Sequence, residues 1–146
     1  LESIKALGKL KSYKMHIAWD DGEADGEFIF GMVTNTTSVG GFSGLAPKDV
    51  SFHDSLFEGL FIRTPKSPVD LPNILSGLLL FPEQENKDMI RFKSSKFTVT
   101  ADEDVPWVLD GEFGGAVKEA KIENVKEAVT LSCSPEPEKK EEKTEN

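Results

Sequence analysis

The sequence predicts a mainly β protein, a β-sandwich of short antiparallel strands with one inserted α-helix. Three observations lead there: apolar and polar residues alternate with a period of two over much of the chain, Asp- and Gly-bearing turn signatures separate those stretches, and a single segment carries helical spacing. A strand that alternates in this way buries one face only, so a second layer must cover it, and a sandwich is the ordinary solution.

Tyr13, Met15, Ile17 and Trp19 alternate with Lys14, His16 and Ala18, as a half-buried strand requires. Asp20-Asp21-Gly22-Glu23 follows as a hairpin turn, because Asp and Gly tolerate the positive φ such turns demand. Glu27–Asn35 returns as a second strand carrying Phe28, Ile29, Phe30, Met32 and Val33. Further strands fit Leu56–Arg63, Met89–Phe92, Lys96–Thr100, Pro106–Leu109, Val117–Glu123 and Ala128–Leu131. The helix is expected from Val69 to about Phe81, with Leu71, Ile74, Leu75, Leu78 and Leu79 at helical spacing. Asp70 is placed to cap it, Pro72 falls in its first turn, and Pro82 stops it.

At 146 residues the chain holds one domain. Beginning at Leu1 and not at Met, it reads as a processed or excised piece. Residues 1–133 form the folded domain. Residues 134–146 are Pro, Glu, Lys, Thr and Asn with almost nothing apolar, and are expected to be a disordered acidic tail. The longest apolar run, Leu78–Phe81, is far too short to span a bilayer, and the opening residues lack a secretory signal. One cysteine, Cys133, makes no internal disulfide, which suits a cytoplasmic setting. A formal net charge of −9 excludes nucleic acid as a partner, since binding phosphates needs a basic footprint.

Strand and turn grammar leaves three stretches open. Asn35-Thr36-Thr37-Ser38-Val39-Gly40-Gly41-Phe42-Ser43-Gly44-Leu45-Ala46-Pro47 is either a flexible connection or a loop whose backbone approaches another group closely; it is not a P-loop, having no Gly-Lys-Ser/Thr. Ser51-Phe52-His53-Asp54-Ser55-Leu56-Phe57 is either a hydrated turn or part of a hard-cation site, for which Ser51 and Asp54 supply oxygen and a nearby carbonyl another. Val105–Phe113 runs an apolar strand into Asp110-Gly111-Glu112, either a plain hairpin turn or a carboxylate held at a strand end to take a proton from a hydroxyl.

In order and spacing these stretches resemble the C-terminal domain of the bacterial diacylglycerol kinase family, related to the sphingosine and ceramide kinases. The likeness runs from about Tyr13 to Leu131: a strand ending in Asn35, then Gly40-Gly41, Leu45-Ala46-Pro47, His53-Asp54-Ser55 and finally Asp110-Gly111-Glu112. The resemblance implies a β-sandwich working beside an ATP-binding domain. It implies Glu112 as the general base toward the lipid hydroxyl, with Asp110 in support. It further implies Mg²⁺ held by Ser51, Asp54 and the carbonyl of Leu56. The chain departs from the family at Ser55, where a Gly is usual, at His53, where an acidic residue is usual, and at Phe42. The family's nucleotide-binding Gly-Gly-Asp-Gly-Thr motif does not occur in it.

The expectation is therefore half of an ATP-dependent lipid kinase. It would act on a diacylglycerol-like hydroxyl, be peripherally associated with the membrane, pair with a missing N-terminal ATP-binding domain, and follow the family's tendency to homodimers. By itself it is expected to be inactive. The alternative is a non-catalytic β-sandwich binding module for carbohydrate, lipid or protein, with Trp19, Trp107 and Phe113 as a stacking platform. A third reading keeps the family fold without activity, as a lipid sensor.

Overall fold

The computed structural model describes residues 11–35, 55–67, 70–79, 86–126 and 128. Among them the elements run β1 (Tyr13–Trp19), β2 (Gly22–Thr34), β3 (Phe57–Arg63), α1 (Asp70–Leu79), β4 (Met89–Ser94), β5 (Lys96–Leu109) and β6 (Glu112–Glu123). All strands pair antiparallel in one six-stranded sheet of order β4-β3-β2-β1-β5-β6.

That order forces the sheet to curl. Ser95 alone separates β4 from β5, yet β3, β2 and β1 lie between them in the ladder. In a flat sheet those two strands would stand roughly 19 Å apart, and one residue reaches about 3.5 Å. Aromatic contacts across the concave side show the closure: Trp19 of β1 stacks on Phe92 of β4 at 4.4 Å, and Phe92 meets Phe97 of β5 edge-on at 5.6 Å. The two layers of the sandwich are thus halves of one sheet, not separate sheets. β2 carries the chain between them, pairing with β1 over Gly22–Phe28 and with β3 over Phe28–Thr34, and a register shift between Phe28 and Phe30 lets it bend.

Several strands are longer than the sequence suggests. The stretches expected separately at Lys96–Thr100 and Pro106–Leu109 are one strand, because the exposed Asp102-Glu103-Asp104 run stays extended although its polarity breaks the alternation. A register shift between Thr100 and Val105 marks that run. β6 begins at Glu112, five positions before the expected Val117. The strand expected at Ala128–Leu131 lies outside the described residues except for Ala128, which is not in a strand, and residues 134–146 lie outside them altogether.

Two apolar clusters hold the fold. Met15, Ile17, Phe28, Phe61, Phe97, Val99, Ala101 and Val105 fill the concave side. Leu60, Ile62, Ile74 and Met89 form the second, between β3, β4 and the helix. β3 is therefore buried on both faces, which explains its unbroken Leu60-Phe61-Ile62 run.

Two local devices differ from expectation. Neither Asp20 nor Asp21 adopts positive φ; among described non-glycine residues only Ser55 and Asp110 do. The β1–β2 turn is held by side chains instead: Ser95 donates to Asp20 Oδ2 from its backbone N–H at 2.9 Å and its hydroxyl at 2.8 Å, and Asp20 N–H donates to Ser94 Oγ at 3.1 Å. At the helix, Asp70 is not the cap. Its Oδ2 accepts from the backbone N–H groups of Lys66 at 3.0 Å and Ser67 at 2.8 Å, so it ties down the segment before the helix and not a helical N–H.

Candidate functional site

The site begins as a turn. Leu109 faces Glu112 across the β5–β6 ladder with Asp110 and Gly111 between them, at φ 51° and 91°. Positive φ at both central residues gives the type I′ hairpin, whose twist matches that of its strands, and Asp-Gly is a favoured pair for it. The turn reading and the carboxylate reading of this stretch are therefore compatible: the turn itself presents Asp110 and Glu112 at the tip, both exposed to solvent.

Around those carboxylates the arm is apolar. Phe113 is 73% exposed, Val108 66% and Leu109 62%. Toward the arm's root, Val105 enters the core and Trp107 packs against it. There the curled sheet leaves an open groove of about 200 Å³, lined by apolar side chains that include Tyr13, Met15, Phe30, Phe61, Val105 and Trp107. An apolar cavity of about 150 Å³ takes a benzene ring, so this groove has room for a short run of hydrocarbon chain.

Of the residues expected to hold a cation, Ser51 and Asp54 lie outside the described residues. Leu56 is described, directly before β3, and follows Ser55 at φ 60°. Three oxygen donors of that kind are chemically suited to Mg²⁺. Among the described residues no group of three or more His, Cys, Asp or Glu could hold a metal ion.

The residues proposed as a stacking platform are not gathered into one. Trp19 is committed to the fold, stacked on Phe92 and lying over Gly22, where an added Cβ would sit 2.8 Å from the indole. Trp107 packs on the core, and Phe113 alone of the three is fully available.

Two features escape a reading of the sequence. Glu58, 3% exposed, is a carboxylate inside an apolar strand with Lys93 Nζ 3.9 Å away; a lone acid in such a run was its only signal. The other is a β-bulge at Gly114-Gly115, signalled by adjacent glycines close after a hairpin turn. Among the described residues no helix is long and apolar enough to cross a membrane.

No family model matches the sequence. Among curated proteins, the chain is 30% identical over 115 residues to the diacylglycerol kinase of Bacillus subtilis (strain 168), a match covering 79% of this chain and 37% of that protein. Among solved structures, its fold matches a Bacillus anthracis protein provisionally described as a diacylglycerol kinase, with TM-score 0.68, 18% identity, and coverage of 86% of this chain and 42% of the other. A further crystal structure of a diacylglycerol kinase from Bacillus anthracis matches at TM-score 0.56 and 15% identity, over 84% of this chain and 44% of that one. The chain thus spans about two fifths of the length of the relatives it matches, and over that span it is similar to diacylglycerol kinases in sequence and in fold.

Proposed function

We propose that this chain is the lipid-substrate and general-base domain of an ATP-dependent kinase that phosphorylates a diacylglycerol-like hydroxyl. The observation that carries the reading is the apolar groove at the root of an arm whose tip presents solvent-open carboxylates. A lipid alcohol has the same two parts, a hydrocarbon chain and a hydroxyl. Each methylene taken from water contributes about 0.8 kcal/mol, so even a short buried run of chain would hold the hydroxyl near the arm.

Glu112 then accepts the hydroxyl proton. The O–H bond breaks as the oxygen bonds to the γ-phosphorus of ATP, the bond from that phosphorus to the bridging oxygen breaks, and ADP leaves with its electron pair. Asp110, across the turn, supports the carboxylate's orientation and negative field. Phosphoryl transfer depends mainly on positioning and on stabilising charge, so a base on one domain and phosphate-binding loops on another are a workable division. ATP would be held by a separate nucleotide-binding domain, since the sequence has no Gly-Gly-Asp-Gly-Thr stretch. Ser51, Asp54 and the Leu56 carbonyl would hold Mg²⁺, whose contribution when bound is to order the start of β3. The work would take place at a membrane surface, where such lipids reside.

The test is a chimera in which this chain replaces the matching portion of the Bacillus subtilis relative, assayed for ATP-dependent phosphate transfer to diacylglycerol vesicles. The chimera is expected to be active and the chain by itself inactive. Glu112→Gln, which keeps shape and removes the base, is expected to lower kcat by roughly 10²–10⁴-fold. Full activity in the Gln variant would move the base elsewhere, and a folded chimera inactive on every lipid alcohol would refute the kinase reading.

A further inference from the structure

Residues directly opposite one another in an antiparallel ladder lie on the same face of the sheet, and neighbours along a strand lie on opposite faces. On β5, Val105 is buried, Trp107 packs against the core, and Leu109 continues the same face. On β6, Val117 lies opposite Val105 and Gly115 opposite Trp107. Simple alternation from there would bring Phe113 onto the face of Trp107 and turn Glu112 away from it.

The ladder does otherwise. It steps from Trp107↔Gly115 to Val108↔Phe113 and Leu109↔Glu112, leaving Gly114 as the extra residue of a β-bulge. One extra residue exchanges the faces of everything beyond it. Glu112 therefore shares a face with Leu109, Trp107 and Val105, the last two of which line the groove, while Phe113 joins Val108 on the other side. Glycine suits both positions of the bulge. Gly115 sits at φ 107°, and a Cβ on Gly114 would lie 2.7 Å from Leu109 Cγ. A bulge that merely protected the exposed edge of β6 would need no particular parity.

We infer that the Gly114-Gly115 bulge is a positioning element for the proton acceptor: it sets Glu112, and not Phe113, on the groove side of the arm. The inference deepens the proposed function and rests on it for the role of Glu112, but the facing of residues 112 and 113 can be read without any activity. A spin label on Glu112→Cys is expected to broaden the Trp107 indole resonance more than one on Phe113→Cys; the reverse order would overturn the inference.

The functional half is tested in the chimera. Gly114→Val with Gly115→Val, which disfavours the bulge and lets regular alternation carry Phe113 to the face of Trp107, is expected to cost about as much as Glu112→Gln, roughly 10²-fold or more in kcat. The same double substitution with the two neighbours exchanged (Glu112→Phe with Phe113→Glu) returns a carboxylate to the groove side and is expected to recover at least tenfold over the double substitution alone. The exchange with Gly114 and Gly115 in place is expected to stay inactive. A double substitution that leaves kcat unchanged, or an exchange that recovers nothing in a protein whose β5–β6 ladder is intact by NMR, would reduce the bulge to a structural detail. Should Glu112→Gln itself retain full rate, the base assignment falls, whereas the spin-label result still decides how the bulge aims the arm.

Discussion

Ser55 shows how much one backbone angle can reveal. It sits at φ 60°, in the left-handed region that costs an ordinary residue about 1–2 kcal/mol and glycine nothing. The chain sets a side chain in this left-handed bend and bears its strain. Ser55→Gly is expected to stabilise the fold by roughly 0.5–1 kcal/mol, the relief being partly offset by the greater freedom of glycine in the unfolded state. A higher urea midpoint with unchanged slope would show it; a lower midpoint would mean that the Ser55 side chain makes contacts worth more than the strain. Asp110 differs, because at φ 51° it occupies a hairpin position that Asp accepts readily.

At the scale of elements, β1, β4 and the helix were legible because each follows one period from end to end, and β3 because its short apolar run Leu60-Phe61-Ile62 marks a strand buried on both faces. β5 was not, since Asp102-Glu103-Asp104 interrupts its alternation while its backbone remains paired or extended. Sequence patterns report which side chains are wet, and an exposed arm is wet on both faces. The Asp110-Gly111-Glu112 turn was read correctly as a turn, yet the face on which Glu112 lies depends on a bulge that alternation cannot register. Glycines placed for close approach are equally silent. Gly59 faces Phe92 across the β3–β4 ladder, and an added Cβ would lie 2.4 Å from the ring. That ring cannot easily retreat, with Trp19 stacked at 4.4 Å and Phe97 edge-on at 5.6 Å. Gly59→Ala is therefore expected to destabilise by about 1–3 kcal/mol, as overpacking of a filled core does, and to alter the Trp19 fluorescence. A urea midpoint within error of the parent would show that the aromatic row has slack.

For the whole molecule, the question is what keeps a six-stranded sheet curled on itself. The aromatic row supplies apolar contact across the fold, and the Asp20 corner supplies direction. Asp20 lies in the β1–β2 turn, and its hydrogen bonds reach Ser94 and Ser95 where β4 passes into β5. Ser94 is buried, and its hydroxyl donates onward to the Lys96 carbonyl at 2.6 Å. The corner thus ties one layer to the other at the point where a single residue must join them. Donation from the Ser95 hydroxyl, and then from its backbone N–H, holds the Asp20 carboxyl below its ordinary value of 3.8. A lowered pKa means that the folded state favours the ionised form. Its contribution to stability is present above pH 3.8 and is lost as the pH falls through the folded-state value. Asp20→Asn keeps an acceptor but cannot ionise, so it is expected to be less stable than the parent at neutral pH and to lose the part of the acid sensitivity that arises below pH 4. Urea unfolding of both proteins at pH 7 and pH 3 decides the matter: the gap between them should narrow at the lower pH. A gap that stays constant would mean that the corner acts through shape alone, leaving the aromatic row to hold the layers together.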